Sequence, residues 1–212
     1  MKPLPYNIKQ TNIDFDKLLG EKRGEFSIIF ARNLSLQEQT LQVFRISIEH
    51  CDFNKFPKSK VVWNAAGYIN IVSFDLKIIA KNLAFAELEW EKRYFARQAA
   101  LLIHEGVEDL FELFGKSLRV IIEELPNGEI LKMELKGLTK RLNEYRSLYG
   151  AKLNELRNFS IAHRDKDVLA QLNVICLISW TDAITYASAF DAILNDAGRF
   201  MQQLLSKGYF DT

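Results

Sequence analysis

The stretch Ile130-Leu131-Lys132-Met133-Glu134-Leu135-Lys136-Gly137-Leu138-Thr139-Lys140-Arg141-Leu142-Asn143-Glu144-Tyr145 decides the fold class. Leu131, Leu135, Leu138, Leu142 and Tyr145 recur at steps of three and four, with charged residues between them. A helix turning about 100° per residue gathers such a set on one side, whereas a strand would scatter it over both faces. The period continues through Leu148, Leu153 and Leu156, which predicts one helix from about Ile130 to the region of Phe159. Gly137 and Gly150 weaken it locally, and a kink is expected at Gly150.

On the N-terminal side of this helix, Leu125-Pro126-Asn127-Gly128 is a firm boundary. Proline disfavours helix before it, and Asn-Gly tolerates positive φ. Upstream, one long helix is expected over roughly Glu87 to Glu124. Another carries Trp63, Ala66, Ile69, Phe74 and Ile78 from Val61 to about Leu83–Phe85. Ser35-Leu36-Gln37-Glu38 has the form of a capping box, so a first helix is expected to start there and end near Cys51. Residues 1–33, with Pro3, Pro5, Gly20 and Gly24, read as an irregular arm packing on the domain. Downstream, Leu172 to Ile178 is open to extended or helical structure. Ser179-Trp180-Thr181-Asp182 is a second capping signature, for a helix reaching about Leu205.

These elements amount to an all-α helical bundle of four to five helices, a single domain over 34–212 preceded by the 1–33 arm. The composition agrees: 48% apolar and 26% charged residues suit a globular core. A formal net charge of +1 argues against broad electrostatic attraction to nucleic acid or an acidic membrane. Cys51 and Cys176 lie far apart and read as free thiols. With no run of 18 apolar residues and no apolar core at the N-terminus, no membrane span and a cytoplasmic location are expected.

Several chemistries lack their residues. There is no Gly-rich phosphate loop, no Cys-x-x-Cys and no Glu-x-x-His, and only three histidines occur. No metal and no cofactor are therefore expected. The segment Leu156-Arg157-Asn158-Phe159-Ser160-Ile161-Ala162-His163-Arg164-Asp165 remains. Arginine suits phosphate because its planar fork donates paired hydrogen bonds and stays charged. Histidine, with an unperturbed pKa of about 6.5, suits proton transfer. Five residues separate Arg157 from His163. Arg45 before His50 and Arg97 before His104 show comparable spacings, but only Arg157 has a polar follower, Asn158. On a continuous helix Arg157 and His163 would stand roughly 120° apart, so convergence needs the helix to end between them or a second chain to complete the site. The bland alternative is a surface helix end, with the cations near its last carbonyls and Asp165 capping the next segment.

An Arg with a polar follower, then a His after five intervening residues, resembles the signature of the HEPN superfamily of helical bundles. The wider string Leu-Arg-Asn…Ile-Ala-His-Arg-Asp, and Trp90-Glu91-Lys92-Arg93-Tyr94-Phe95-Ala96-Arg97, are similar to its bacterial abortive-infection branch. The resemblance spans roughly residues 60–206. It implies metal-independent RNA cleavage by a homodimer whose two motifs line one cleft, with Arg157, Asn158 and His163 catalytic. Arg164, Lys166 and Arg97 are the expected RNA contacts, and a cognate antitoxin or nucleotidyltransferase is the expected partner. Some members carry a Tyr two positions after the His, which a nucleotidyltransferase modifies; Asp165 stands there in this chain. The second expectation, from a different class, is a non-catalytic helical module that binds a partner or a nucleotide.

His104 is expected to pair with Glu108. Arg93 and Arg97, with Glu89 four residues before Arg93, are expected on a solvated face.

Overall fold

The computed structural model describes residues 6–160, 167–207 and 210–211. Seven α-helices and no strand occur among them: α1 (Tyr6–Asn54), α2 (Pro57–Phe85), α3 (Glu89–Leu113), α4 (Lys116–Glu123), α5 (Gly128–Ser160), α6 (Val168–Cys176) and α7 (Trp180–Ser206). The all-α class stands. The expected four to five helices become seven, because three boundaries fall elsewhere.

The first correction is at the N-terminus. Residues 6–33 are not an irregular arm: α1 begins at Tyr6, after both prolines, and runs unbroken through Ser35. Ser35-Leu36-Gln37-Glu38 is therefore not a helix start. Gly20 and Gly24 cost helix propensity, and tertiary anchors at the near end of α1 offset that cost. Buried Asn12 accepts a hydrogen bond from the Trp180 backbone N–H (3.1 Å), and its own carbonyl accepts from the indole Nε1 (3.4 Å). Asp16 pairs with Lys92 at 2.5 Å, and Leu19 is buried. Further on, Gln37 donates to Ser73 on α2 (3.0 Å).

The second correction splits the long helix expected over Glu87–Glu124. α3 stops at Leu113 and α4 restarts at Lys116. At Gly115 a Cβ would sit 2.6 Å from the carbonyl oxygen of Glu112, so only glycine lets the chain turn this tightly. The third change is α6. Residues 172–176 belong to a helix whose N-cap is Asp167, accepting from the Ala170 amide at 3.0 Å. Asp165, the expected cap, lies outside the described residues.

Other boundaries follow the sequence. Pro57 opens α2 at its first turn, where its missing N–H costs nothing. α5 begins at Gly128, where a Cβ would meet the Ile122 carbonyl oxygen at 2.4 Å. It continues uninterrupted past Gly150 as one helix. Ser179 caps α7, accepting from the Asp182 amide (3.2 Å).

α2 packs against α1, α3 and α7, and α5 packs against α3 and α7. Phe190, Phe114, Leu76, Leu110, Leu142 and Leu194 fill the interior, each 0–1% exposed. Gly106 brings α3 close to its neighbours: a Cβ there would lie 3.2 Å from Phe190 and 3.3 Å from Val72. Cys51 and Cys176 are free and buried, and burial pushes the Cys51 thiol up, with help from Asp211 and Asp52. No single helix among the described residues is long and apolar enough to cross a membrane, and only the α6–α7 pair, bent by 75°, would pass on composition.

Asp211 fastens the C-terminal end to the start of α2. Its carboxylate accepts from the Lys58 and Ser59 amides (2.9 Å each) and from the Ser59 hydroxyl (2.5 Å). Partial burial alone would raise its pKa, but these hydrogen bonds outweigh it and hold the carboxyl below the usual range. A depressed folded value stabilises the fold above the unfolded pKa of about 3.9 and loses that contribution as pH falls through the folded value. Asp211→Ala is expected to cost about 0.5–2 kcal/mol at pH 7, as loss of a helix cap does. The difference from wild type in urea unfolding should shrink as the medium is acidified below about pH 4.

Candidate functional site

α5 carries Arg157 in its last turn, where a cation faces the unpaired carbonyls of the helix end. Arg157 Nε donates to Glu105 Oε1 on α3 at 2.7 Å. The pair is not buried: the arginine side chain is 28% exposed and the glutamate 48%. This contact uses one of the five N–H donors of the guanidinium. Glu105 therefore orients the arginine without exhausting it. Asn158 is held within its own helix by Asn154, Nδ2 to Oδ1 at 3.3 Å.

His104 is the unexpected neighbour. Its Nδ1 lies 3.7 Å from Glu105 Oε1, too long for a hydrogen bond, and this buried nitrogen has no hydrogen-bond partner among the described residues. The expected His104–Glu108 pairing is corrected, because Glu108 faces Arg146 of α5 at 3.5 Å. Arg146 in turn stacks over Phe111, 4.3 Å from the ring centre. Between α3 and α5 lies a cavity of about 360 Å³ lined by His104, Glu108, Tyr145, Arg146 and Asn154. Asn154 is one turn before Asn158, so the cavity runs up to the candidate motif. Nearby, Tyr68 donates a short hydrogen bond to Asp109, and burial together with that bond pushes the phenol well above its usual range.

Arg93 and Arg97 are not on a solvated face. Both are buried, at 7% and 8% exposure. Arg93 pairs with exposed Glu89 (2.8 Å), and its guanidinium lies 5.5 Å from the centre of the Trp180 ring. Arg97 donates from Nε to the Arg93 carbonyl (3.1 Å) and sits over Trp90 and Tyr94. Alternation of sign at i, i+4 cannot distinguish a solvated face from one covered by the rings of another helix, and Trp180 comes from α7. Arg97, expected to contact RNA, is thus engaged inside the protein.

Of the expected catalytic set, the structure places Arg157 and Asn158 on the last turn of α5. His163, Arg164 and Lys166 lie outside the described residues. Glu105 and His104 were missed as neighbours of Arg157, since no sequence pattern links positions 52 and 53 residues apart. Among the described residues, no group of three or more His, Cys, Asp or Glu is arranged to hold a metal. Comparisons with known families, with curated proteins and with solved structures find no match to this chain.

Proposed function

We propose that the chain is a HEPN-like, metal-independent endoribonuclease of the toxin or phage-defence type, cleaving single-stranded RNA or tRNA in the cytoplasm as a homodimer. The observation that carries this is Arg157: partly exposed, oriented through Nε by Glu105, and next to the cavity between α3 and α5. A cavity of that size is at the low end of small-molecule sites and suits one base or sugar-phosphate unit.

In the reaction the RNA 2′-oxygen attacks the adjacent phosphorus while the bond from phosphorus to the 5′-oxygen breaks. His163 handles the proton leaving the 2′-hydroxyl or the proton gained by the departing 5′-oxygen. Arg157 donates to the non-bridging oxygens, where charge accumulates, and Asn158 positions the phosphate. Arg164 and Lys166 add cationic contacts to the backbone. A cognate antitoxin or nucleotidyltransferase restrains the activity. Purified protein incubated with total RNA in EDTA should leave 2′,3′-cyclic phosphate and 5′-hydroxyl ends, and His163→Ala should abolish them. Absence of cleavage by folded wild-type protein would sink the proposal.

One observation favours the alternative, a non-catalytic partner-binding module. α1 carries large exposed apolar side chains that no described part of the chain covers.

A further inference from the structure

The 49-residue helix α1 buries only a narrow edge. On its outer side Leu18 (50% exposed), Ile28 (72%), Ile29 (45%), Leu36 (53%), Val43 (54%), Ile46 (60%) and Phe53 (87%) stand in the open. Ile29, Leu36 and Val43 are seven apart, Ile46 follows Val43 by three, and Phe53 follows Ile46 by seven. Steps of three, four and seven describe the seam of a helix that pairs with another helix. Isolated exposed apolar residues need no explanation, but a continuous stripe does.

We propose that this face of α1 is an interface between two copies of the chain, joined by an antiparallel α1–α1 helix pair. It rests on the α1 surface alone, independent of the cleavage proposal. Size is the first support. From Leu18 to Phe53 the stripe is roughly 50 Å long and about 10 Å wide at helix dimensions, of the order of the ~800 Å² per partner that a stable interface takes.

Charge identifies the occupant. Exposed Asp14, Glu21 and Glu25 lie toward the start of the helix, while Arg32 and His50 lie within or after the apolar run. Turning one copy end over end about a point between Gln37 and Glu38 sets Glu25 opposite the partner's His50. The same operation sets Ile29 opposite the partner's Ile46 and Leu36 beside the partner's Gln39. A two-fold interface must be complementary to itself in this way. The acidic residues also disfavour an anionic lipid surface or RNA as the occupant.

The test is the mass of the purified full chain in solution by sedimentation or light scattering, for wild type and for Leu36→Glu/Val43→Glu. Wild type should be a dimer. The double variant should be monomeric at the same concentration, its dissociation constant weakened at least about a hundredfold, with unchanged far-UV circular dichroism. Should that variant lose helix, Val43→Gln/Ile46→Gln replaces it and should weaken the dimer in the same direction. A monomeric wild type would overturn the inference, and its binding to anionic vesicles would reassign the face to lipid. A dimer that survives both substitutions would also overturn it, placing the contact elsewhere, for instance across a shared cleft. None of these results bears on RNA cleavage in EDTA, so this inference and the proposed function fail separately.

Discussion

Arg157→Ala should lower metal-independent RNA cleavage by about 10²–10³-fold, the loss typical when one donor to a developing oxyanion is removed. At 1.36 kcal/mol per decade this is about 3–4 kcal/mol of transition-state stabilisation. The same substitution should hardly change stability. Its ion pair with Glu105 is open to water on both sides, and such pairs contribute about 0–1 kcal/mol. The contrast separates a catalytic arginine from a structural one. Glu105→Gln sharpens the test: the amide oxygen still accepts the Nε–H and keeps the guanidinium in place, but the neutralising charge is gone. Cleavage should hold or rise within about tenfold, since the arginine then offers its full charge to phosphate. Equal cleavage rates for wild type and Arg157→Ala, with wild type active in EDTA, would remove Arg157 from the mechanism.

The parts of the fold legible in the sequence are those where one local signal sufficed. The leucine period of α5, the Pro-Asn-Gly stop before it and the Ser179 cap of α7 each depend on residues within a turn or two, and each boundary falls where expected. The failures all involve residues distant in the chain. Ser35-Leu36-Gln37-Glu38 has cap chemistry, but Asn12, Asp16 and Gln37 tie α1 to α7, α3 and α2, and these long-range bonds keep the helix going through the glycines. Gly115 breaks a helix that Gly137 and Gly150 do not, although glycine's propensity is the same at all three. The difference is what a Cβ would meet: the Glu112 carbonyl oxygen at Gly115, nothing within 4 Å at Gly137, and one flexible arginine methylene at Gly150. For the candidate site, residue types and spacing single out Arg157 and Asn158. The partner that aims the arginine is invisible, because α3 and α5 meet only in three dimensions.

Phe190→Ala should be the most destabilising single truncation in the core, at about 3–5 kcal/mol, because the ring is wholly buried and its loss leaves a cavity the bundle closes only in part. Phe190 sits where α2, α3 and α7 converge: its ring lies 5.6 Å from that of Tyr145, and Gly106 faces its edge. Adding a methyl at that glycine is the opposite error. In Gly106→Ala the new Cβ would stand 3.2 Å from Phe190 Cζ and 3.3 Å from both Phe190 Cε1 and Val72 Cγ1. Neither α3 nor α7 can shift without moving the other, so about 1–3 kcal/mol of overpacking is expected, less whatever alanine regains in helix propensity. The two defects share one volume and should not add. With the ring gone, the methyl added by Gly106→Ala enters the space it vacated, and the double variant should be more stable than the sum of the single losses implies by about 1 kcal/mol or more. Urea unfolding of the four proteins at equal concentration measures this, with equal slopes required for the comparison. Simple additivity would mean that α3 and α7 do not meet at Gly106 and Phe190, and the helix arrangement that sets Glu105 against Arg157 would lose its support.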